Sequence, residues 1–317
     1  MSRTRFLLPL AILLTLGCSL AAGGVEAPKL KAPERVPAVP PPERVFLRYL
    51  WREGENLSYR SFLSLRMIAD QPEADKSMEG SLTALSSERH RALGRLEELT
   101  LVSSEMDPPV VTLNLDGRVF RRRGEADRLN LELSPEGEIA GWGRQWGLPW
   151  EGGETRGLAV KKPSLLSAFA PCGLLPSKDV KVGDAWSGQV QFDTLLLAQP
   201  SQVLTSSRLL EIGRFQGRPS AKVRTTWSAE FDLPPEYLLP LEASALSLPS
   251  TLPQLKGQLR AEVTWYFDYV AGRLLQSEGS LLLTLRAETQ AGEGEEEVPT
   301  VLFDFVAEGR LKTVLLP

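Results

Sequence analysis

Histidine and cysteine are nearly missing from this chain of 317 residues, which has one histidine, His90, and two cysteines, Cys18 and Cys172. That leaves no material for a histidine-based catalytic triad or a Cys/His zinc site. A dominant charge of one sign is missing too. Lys and Arg number 36 against 40 Asp and Glu, for a net charge of −4, so there is no broad basic footprint and nucleic acid is excluded as a partner. Aromatic residues make up only 7%. The sequence also lacks a Gly-x-Ser-x-Gly elbow, a His-Glu-x-x-His pair, a Cys-x-x-Cys pair, a P-loop, and a serine followed three residues later by lysine. The acidic run Gly292 to Glu297 has neither the third glycine nor the strand-to-helix setting of a dinucleotide site. No cofactor and no metal is expected, and the chain reads as non-enzymatic.

What is present begins with an address. Arg3 and Arg5 precede a short apolar stretch from Phe6 to Leu16, and small residues follow at Gly17, Cys18, Ser19, Ala21 and Ala22. That is the arrangement of a secretory signal, and it falls short of the roughly 20 apolar residues of a membrane span. Leu14-Thr15-Leu16-Gly17-Cys18 resembles the lipobox of bacterial lipoproteins, with Thr15 where a leucine is usual. The resemblance implies removal of residues 1–17, lipidation of Cys18, and a membrane-anchored place in the bacterial cell envelope, facing the periplasm or the exterior. Ordinary cleavage after Ala21 or Ala22, releasing a soluble secreted protein, is the alternative. Loss of residues 1–17 takes away two arginines and no acid, which moves the net charge from −4 to −6. Cys172 is then the only other thiol, so no intramolecular disulfide forms, and its setting in Pro171-Cys172-Gly173-Leu174-Leu175 is that of a small buried hydrophobe.

Residues 18–44 carry prolines at 28, 33, 37, 40, 41 and 42 with charges between them. Such a segment cannot build a core and favours polyproline II, with a reach of roughly 80 Å if fully extended. It reads as a tether.

From Val45 onward the hydrophobic period is two, the period of half-buried strands. Ala221, Val223, Thr225, Trp227, Ala229 and Phe231 fall on one face, with Lys222, Arg224, Thr226, Ser228 and Glu230 on the other. Leu259 to Phe267 and Leu57 to Met67 alternate in the same way, as do Val111, Leu113 and Leu115. The strands span about ten residues where five or six is usual. Local turn signals separate them: Asp116-Gly117, Ser134-Pro135-Glu136-Gly137, Gln216-Gly217-Arg218-Pro219 and Asp268 to Arg273. Helical stretches are few, with short helices expected at Pro163–Phe169 and Pro235–Leu246. Glu88–Glu98 fits strand or helix equally. The expected fold is therefore all-β and mainly antiparallel: a long-stranded meander forming a curved sheet, open barrel or sandwich, with a few short helices. Its two halves cover 45–158 and 159–317.

Pro176-Ser177-Lys178-Asp179-Val180-Lys181-Val182-Gly183-Asp184-Ala185-Trp186 resembles a recurrent element of uncharacterised exported bacterial β-proteins, in which Pro-x-Lys-x-Val-x-Val-Gly-Asp-x-Trp precedes a pair of long strands. The resemblance implies an envelope protein and carries over no catalytic residue. Read from its residues, the element is a structural knot in which Gly183 and Asp184 turn the chain and Trp186 packs back over the turn.

Two features suit contact. Trp142, Trp146 and Trp150 lie among glycines and a proline that disfavour a helix, so they either cover the sheet core or meet a ligand or partner. Arg121-Arg122-Arg123 follows the Asp116-Gly117 hairpin and reads as a solvated strand end or a contact for anionic lipid. His90, in Glu88-Arg89-His90-Arg91, reads as a surface side chain. Together these point to a tethered envelope β-domain that binds a hydrophobic ligand or an envelope protein. In general architecture the first version resembles the half-barrel carriers that bind lipoprotein acyl chains. A carbohydrate-active enzyme with two carboxylates beside the tryptophans, and a plain structural scaffold, are the alternatives.

Overall fold

A computed structural model describes residues 40–71, 76–108, 110–123, 127–143, 174–192, 201–233, 254–288 and 301–317. Cys18, Cys172, Trp146, Trp150, both expected helices, the signal segment and most of the tether lie outside these residues.

The described chain is all-β, with no helix. Its N-terminal part contributes β1 (Arg44–Val45), β2 (Asn56–Gln71), β3 (Lys76–Leu96), β4 (Leu99–Met106), β5 (Val110–Leu115), β6 (Arg118–Arg123), β7 (Asp127–Leu133) and β8 (Ile139–Gly143). Its C-terminal part contributes β9 (Val180–Lys181), β10 (Ala185–Phe192), β11 (Ser201–Phe215), β12 (Arg218–Leu233), β13 (Gln254–Asp268), β14 (Arg273–Glu288) and β15 (Val301–Leu315). Thirteen of these form one antiparallel sheet in the order β10-β11-β12-β13-β14-β15-β2-β3-β4-β7-β8, with the β5–β6 hairpin branching from β3. The strands from 159–317 and those from 45–158 thus hold opposite sides of one sheet and meet at β15 and β2, where Thr313 pairs with Ser61 and Leu311 with Leu63.

The turns follow their local chemistry. Asp116 and Gly117 both take positive φ, 46° and 80°, and Gln216 and Gly217 do the same at 52° and 80°. That is the two-residue geometry whose twist matches the flanking strands. Strand length exceeds the expectation: β3 spans 21 residues and β2, β12 and β14 span 16 each. The extra length lets β3 serve two sets of neighbours, with residues 80–85 pairing β5 and residues 88–96 pairing β4.

The sheet is strongly curved without closing into a barrel. Residues 45–52 form a strap across one end. Tyr49 N donates to Pro135 O in the β7–β8 turn at 2.8 Å, and Leu50 N donates to Gly272 O in the β13–β14 turn at 3.0 Å. Adjacent residues are only about 3.8 Å apart, so the two turns lie within roughly 10 Å of each other. In a flat sheet the five steps from β14 to β7 would separate them by about 24 Å. Glycines on the inward face allow the bend. A Cβ on Gly309 would meet Ser64 O and Leu65 Cδ2 on β2, and one on Gly279 would meet Glu262 O and Val263 Cγ2 on β13. Neighbouring strands lean over both positions, which is the use of glycine at a sheet corner.

The curl turns the apolar face inward. Trp265, Phe267, Leu209, Val223, Val263, Leu274, Leu311 and Ala307 are buried there. Around these residues the core is packed, because side chains with near-zero exposure have no water-sized space beside them, whereas Leu65 and Leu281 on the same face are half-buried. On the opposite face Arg224, Arg260, Glu262, Glu278, Glu308, Arg310 and Lys312 meet solvent.

Candidate functional site

The strapped end is built from sequence-local turns. Val45, Leu47, Tyr49 and Trp51 point inward and are buried; the Tyr49 ring meets Phe267 edge-on at 5.2 Å. Glu55 fixes the exit of the strap into β2, since its carboxylate accepts from Arg52 N at 3.0 Å and pairs with Arg273 of β14, also at 3.0 Å. In the β13–β14 turn the Asp268 carboxylate accepts from Val270 N and Ala271 N at 3.0 and 2.8 Å. Continuing the alternation of Leu259 to Phe267 by one residue would put Asp268 on the wet face, but the shift of register after Tyr266 and the turn's orphan N–H groups bury it. Burial and the Asp268 carboxylate push the neighbouring Tyr269 phenol up, with Arg214 opposing.

The Pro176–Trp186 element lies at this same end. β9 pairs with β1, joining Val180 to Val45 where the tether enters the fold. Gly183 takes φ 94° and donates to Leu209 O of β11 at 2.8 Å. Asp184 accepts from Lys181 N through its side chain at 3.1 Å. The half-buried Trp186 indole donates to Leu174 O at 2.8 Å. Val180 is buried, whereas Val182 is exposed at the turn.

Behind the strapped end a belt of hydroxyls crosses the inner face. Direct cross-strand pairing lines up Trp265, Ser277, Thr313, Ser61 and Ser86 on five successive strands. Ser61 Oγ and Thr313 Oγ1 share a hydrogen bond of 2.8 Å. Trp265 Nε1 donates to Thr225 Oγ1 at 2.9 Å, and Thr225 is also bonded to Ser207 at 2.8 Å. Ser86 Oγ and Ser277 Oγ are buried without a hydrogen-bond partner.

His90 is a correction to the sequence reading. It is 1% exposed, lies 3.3 Å from the equally buried Glu88 carboxylate, and meets the Tyr59 ring at 5.5 Å. The strand β3 has its inward phase set by Leu82, Ala84 and Ala92, and His90 shares that phase. The flanking arginines that suggested a surface position occupy the outward phase.

Open depressions lie between side chains on the solvent-facing side of the sheet. A trough of about 840 Å³ crosses β11 to β2, lined by the charged Arg66, Arg260, Glu262, Glu308 and Arg310 together with the apolar Leu204, Trp227, Leu281 and Leu282. Register makes it a chequerboard: Arg260, Leu282, Glu308 and Arg66 lie in one cross-strand row, with Glu262, Ser280 and Arg310 in the next. A second trough of about 850 Å³ continues toward Asp70, Lys256, Arg286 and Asp304. Sequence reading singled out none of these residues as a site, because alternating charge on the wet face of a strand looks the same with an open depression beside it as without one. Among the described residues no group of three or more His, Cys, Asp or Glu side chains is placed to hold a metal ion.

The remaining residues picked from sequence are dispersed. Trp142 lies in β8, with its backbone opposite Leu131. Trp146, Trp150 and Cys18 lie outside the described residues. Arg121 and Arg123 are exposed on β6.

The architecture defines an all-β class with one curved, unclosed antiparallel sheet. No family model matches the chain, and no curated protein sequence is similar to it. Among solved structures, the crystal structure of Pseudomonas aeruginosa OccK7 (OpdD) aligns with 8% identity and a TM-score of 0.21, over 83% of this chain and 99% of that one. Superposition at that level does not define a shared fold.

Proposed function

We infer that the chain is a non-enzymatic envelope domain, tethered at the membrane through lipidated Cys18, that works by holding a protein partner. One observation carries the preference for a protein over a hydrophobic ligand: Trp265, Phe267, Val263, Leu209 and Leu311 on the described apolar face have near-zero exposure, while the open depressions lie on the solvent-facing side among charged and apolar side chains. A hydrophobic ligand needs an apolar cavity. An open depression that sets arginine and glutamate beside leucine and tryptophan instead suits a protein surface, where charge complementarity selects the partner. The point of entry supports the reading, because β1 joins the fold at the strapped end through its pairing with β9.

Native mass spectrometry of the protein extracted from its own membrane tests this. The expected result is a chain beginning at acylated Cys18, in complex with a protein and with no further apolar molecule bound. A lipid held non-covalently within the fold would overturn the partner reading in favour of a carrier. A mature chain beginning at Ala22 or Gly23 would remove the anchor.

A further inference from the structure

The β5–β6 hairpin ends the sheet on one side of β3, and β6 pairs with β5 alone. Among the described residues its outer edge has no strand beside it. Native proteins usually cover, shorten or bend away such an edge, because its unpaired N–H and C=O groups template another strand. Among the described residues this edge is open, and it carries unusual side chains. Val119 is 65% exposed and Phe120 48%, with Arg118, Arg121 and Arg123 exposed around them.

Register shows which backbone groups are free. The Asp116-Gly117 turn makes Leu115 and Arg118 the first pair of the hairpin, followed by Leu113 with Phe120 and Val111 with Arg122. In a two-residue hairpin the pair flanking the turn is hydrogen-bonded, and bonding alternates along the ladder. The N–H and C=O of Val119, Arg121 and Arg123 therefore point away from β5, presenting three donor and acceptor sets along an edge that no other described strand pairs.

We propose that this edge receives an extended acidic segment of the protein partner, which adds as a strand antiparallel or parallel to β6. The backbone ladder supplies affinity and the arginines select Asp and Glu at alternate positions of the incoming segment. An anionic membrane fits less well. Val119 and Phe120 are adjacent in a strand and so project from opposite faces, which prevents both from entering one bilayer surface with the hairpin lying flat. Edge-on insertion would bury the unpaired backbone groups in hydrocarbon, where each costs several kcal/mol. This inference rests on the partner reading above and names the place and the chemistry of contact.

The test uses the full tethered chain in its own cells, with a photo-reactive amino acid at Val119 and, in a separate variant, at the exposed Leu204 beside the trough. The expected result is an adduct at position 119 whose sequenced partner segment has Asp or Glu at alternate positions. The Arg121→Glu/Arg123→Glu double variant should cut the yield at least tenfold. A synthetic peptide of the captured segment should bind the purified full chain, and a proline at its centre, at unchanged charge, should abolish binding. A crosslink from position 119 only to lipid, an acid-poor segment, or a proline peptide that binds equally well would overturn the proposal. Adducts from position 204 alone would overturn the edge assignment and leave the partner reading standing. No adduct from either position would overturn both.

Discussion

Gly272 is where the strap can be tested by a single methyl group. It sits at φ +63° in the β13–β14 turn, and a Cβ there would fall onto the backbone nitrogen and Cβ of Leu50. Gly217 provides the control, since it has φ +80° in the β11–β12 turn with nothing within 4 Å of an added Cβ. Both alanine variants carry the cost of a left-handed alanine, about 1–2 kcal/mol. Only Gly272→Ala must also displace the strap, which strains or breaks the bond from Leu50 N to Gly272 O and disturbs the packing of Tyr49 on Phe267. One hydrogen bond contributes about 0.5–1.5 kcal/mol and overpacking costs about 1–3 kcal/mol. Gly272→Ala should therefore be less stable than Gly217→Ala by roughly 2 kcal/mol, a difference of about 1 M in urea midpoint for a urea slope near 2 kcal/mol/M. Limited trypsin digestion under native conditions gives a second reading, because Arg48 and Arg52 flank the displaced bond. Cleavage there should accelerate in Gly272→Ala and not in Gly217→Ala. Equal midpoints and equal cleavage would refute the claim that the strap holds the two sides of the sheet together.

The hydroxyl belt makes opposite forecasts for serines on the same row. Ser86→Ala and Ser277→Ala remove buried hydroxyls that lack partners and should be neutral or stabilising by up to about 1 kcal/mol, whereas Ser61→Ala strands Thr313 and should cost about 1 kcal/mol or more in urea denaturation. Tyr269 supplies a pH test. Its raised phenol favours the neutral form in the fold, so the stability it contributes is complete below the unfolded value of about 10 and is lost as pH rises through the folded value. Following phenolate absorbance, Tyr269→Phe should remove a component that ionises above free tyrosine, at about 10. Removal of a component at or below that of free tyrosine would contradict the stated cause.

Most of the β architecture was legible because it is local. Period two gave the inward phase of β2, β12 and β13, and Asp116-Gly117 and Gln216-Gly217 marked hairpins whose φ values are set by residue type. The pairing of β15 with β2 was not legible, since Thr313 and Ser61 meet across 252 residues and no local signal encodes that meeting. The strap escaped notice for a related reason. Val45, Leu47, Tyr49 and Trp51 alternate as a strand does, yet beyond Val45 the backbone N–H groups of Tyr49 and Leu50 bond to two turns rather than to a ladder. His90 was misread because neighbours in sequence were weighed above neighbours in phase. The trough was invisible because its residues are ordinary wet-face side chains until long-range strand pairing sets them side by side.

The packed interior is the premise on which the partner reading stands, and titration with a fluorescent long-chain fatty acid tests it most directly. Protein purified from residue 18 onward with Cys18→Ser, so that no attached acyl chain competes, should show no saturable binding at micromolar probe. Saturable binding of one probe per chain, displaced by unlabelled fatty acid, would show a hollow interior and contradict the account.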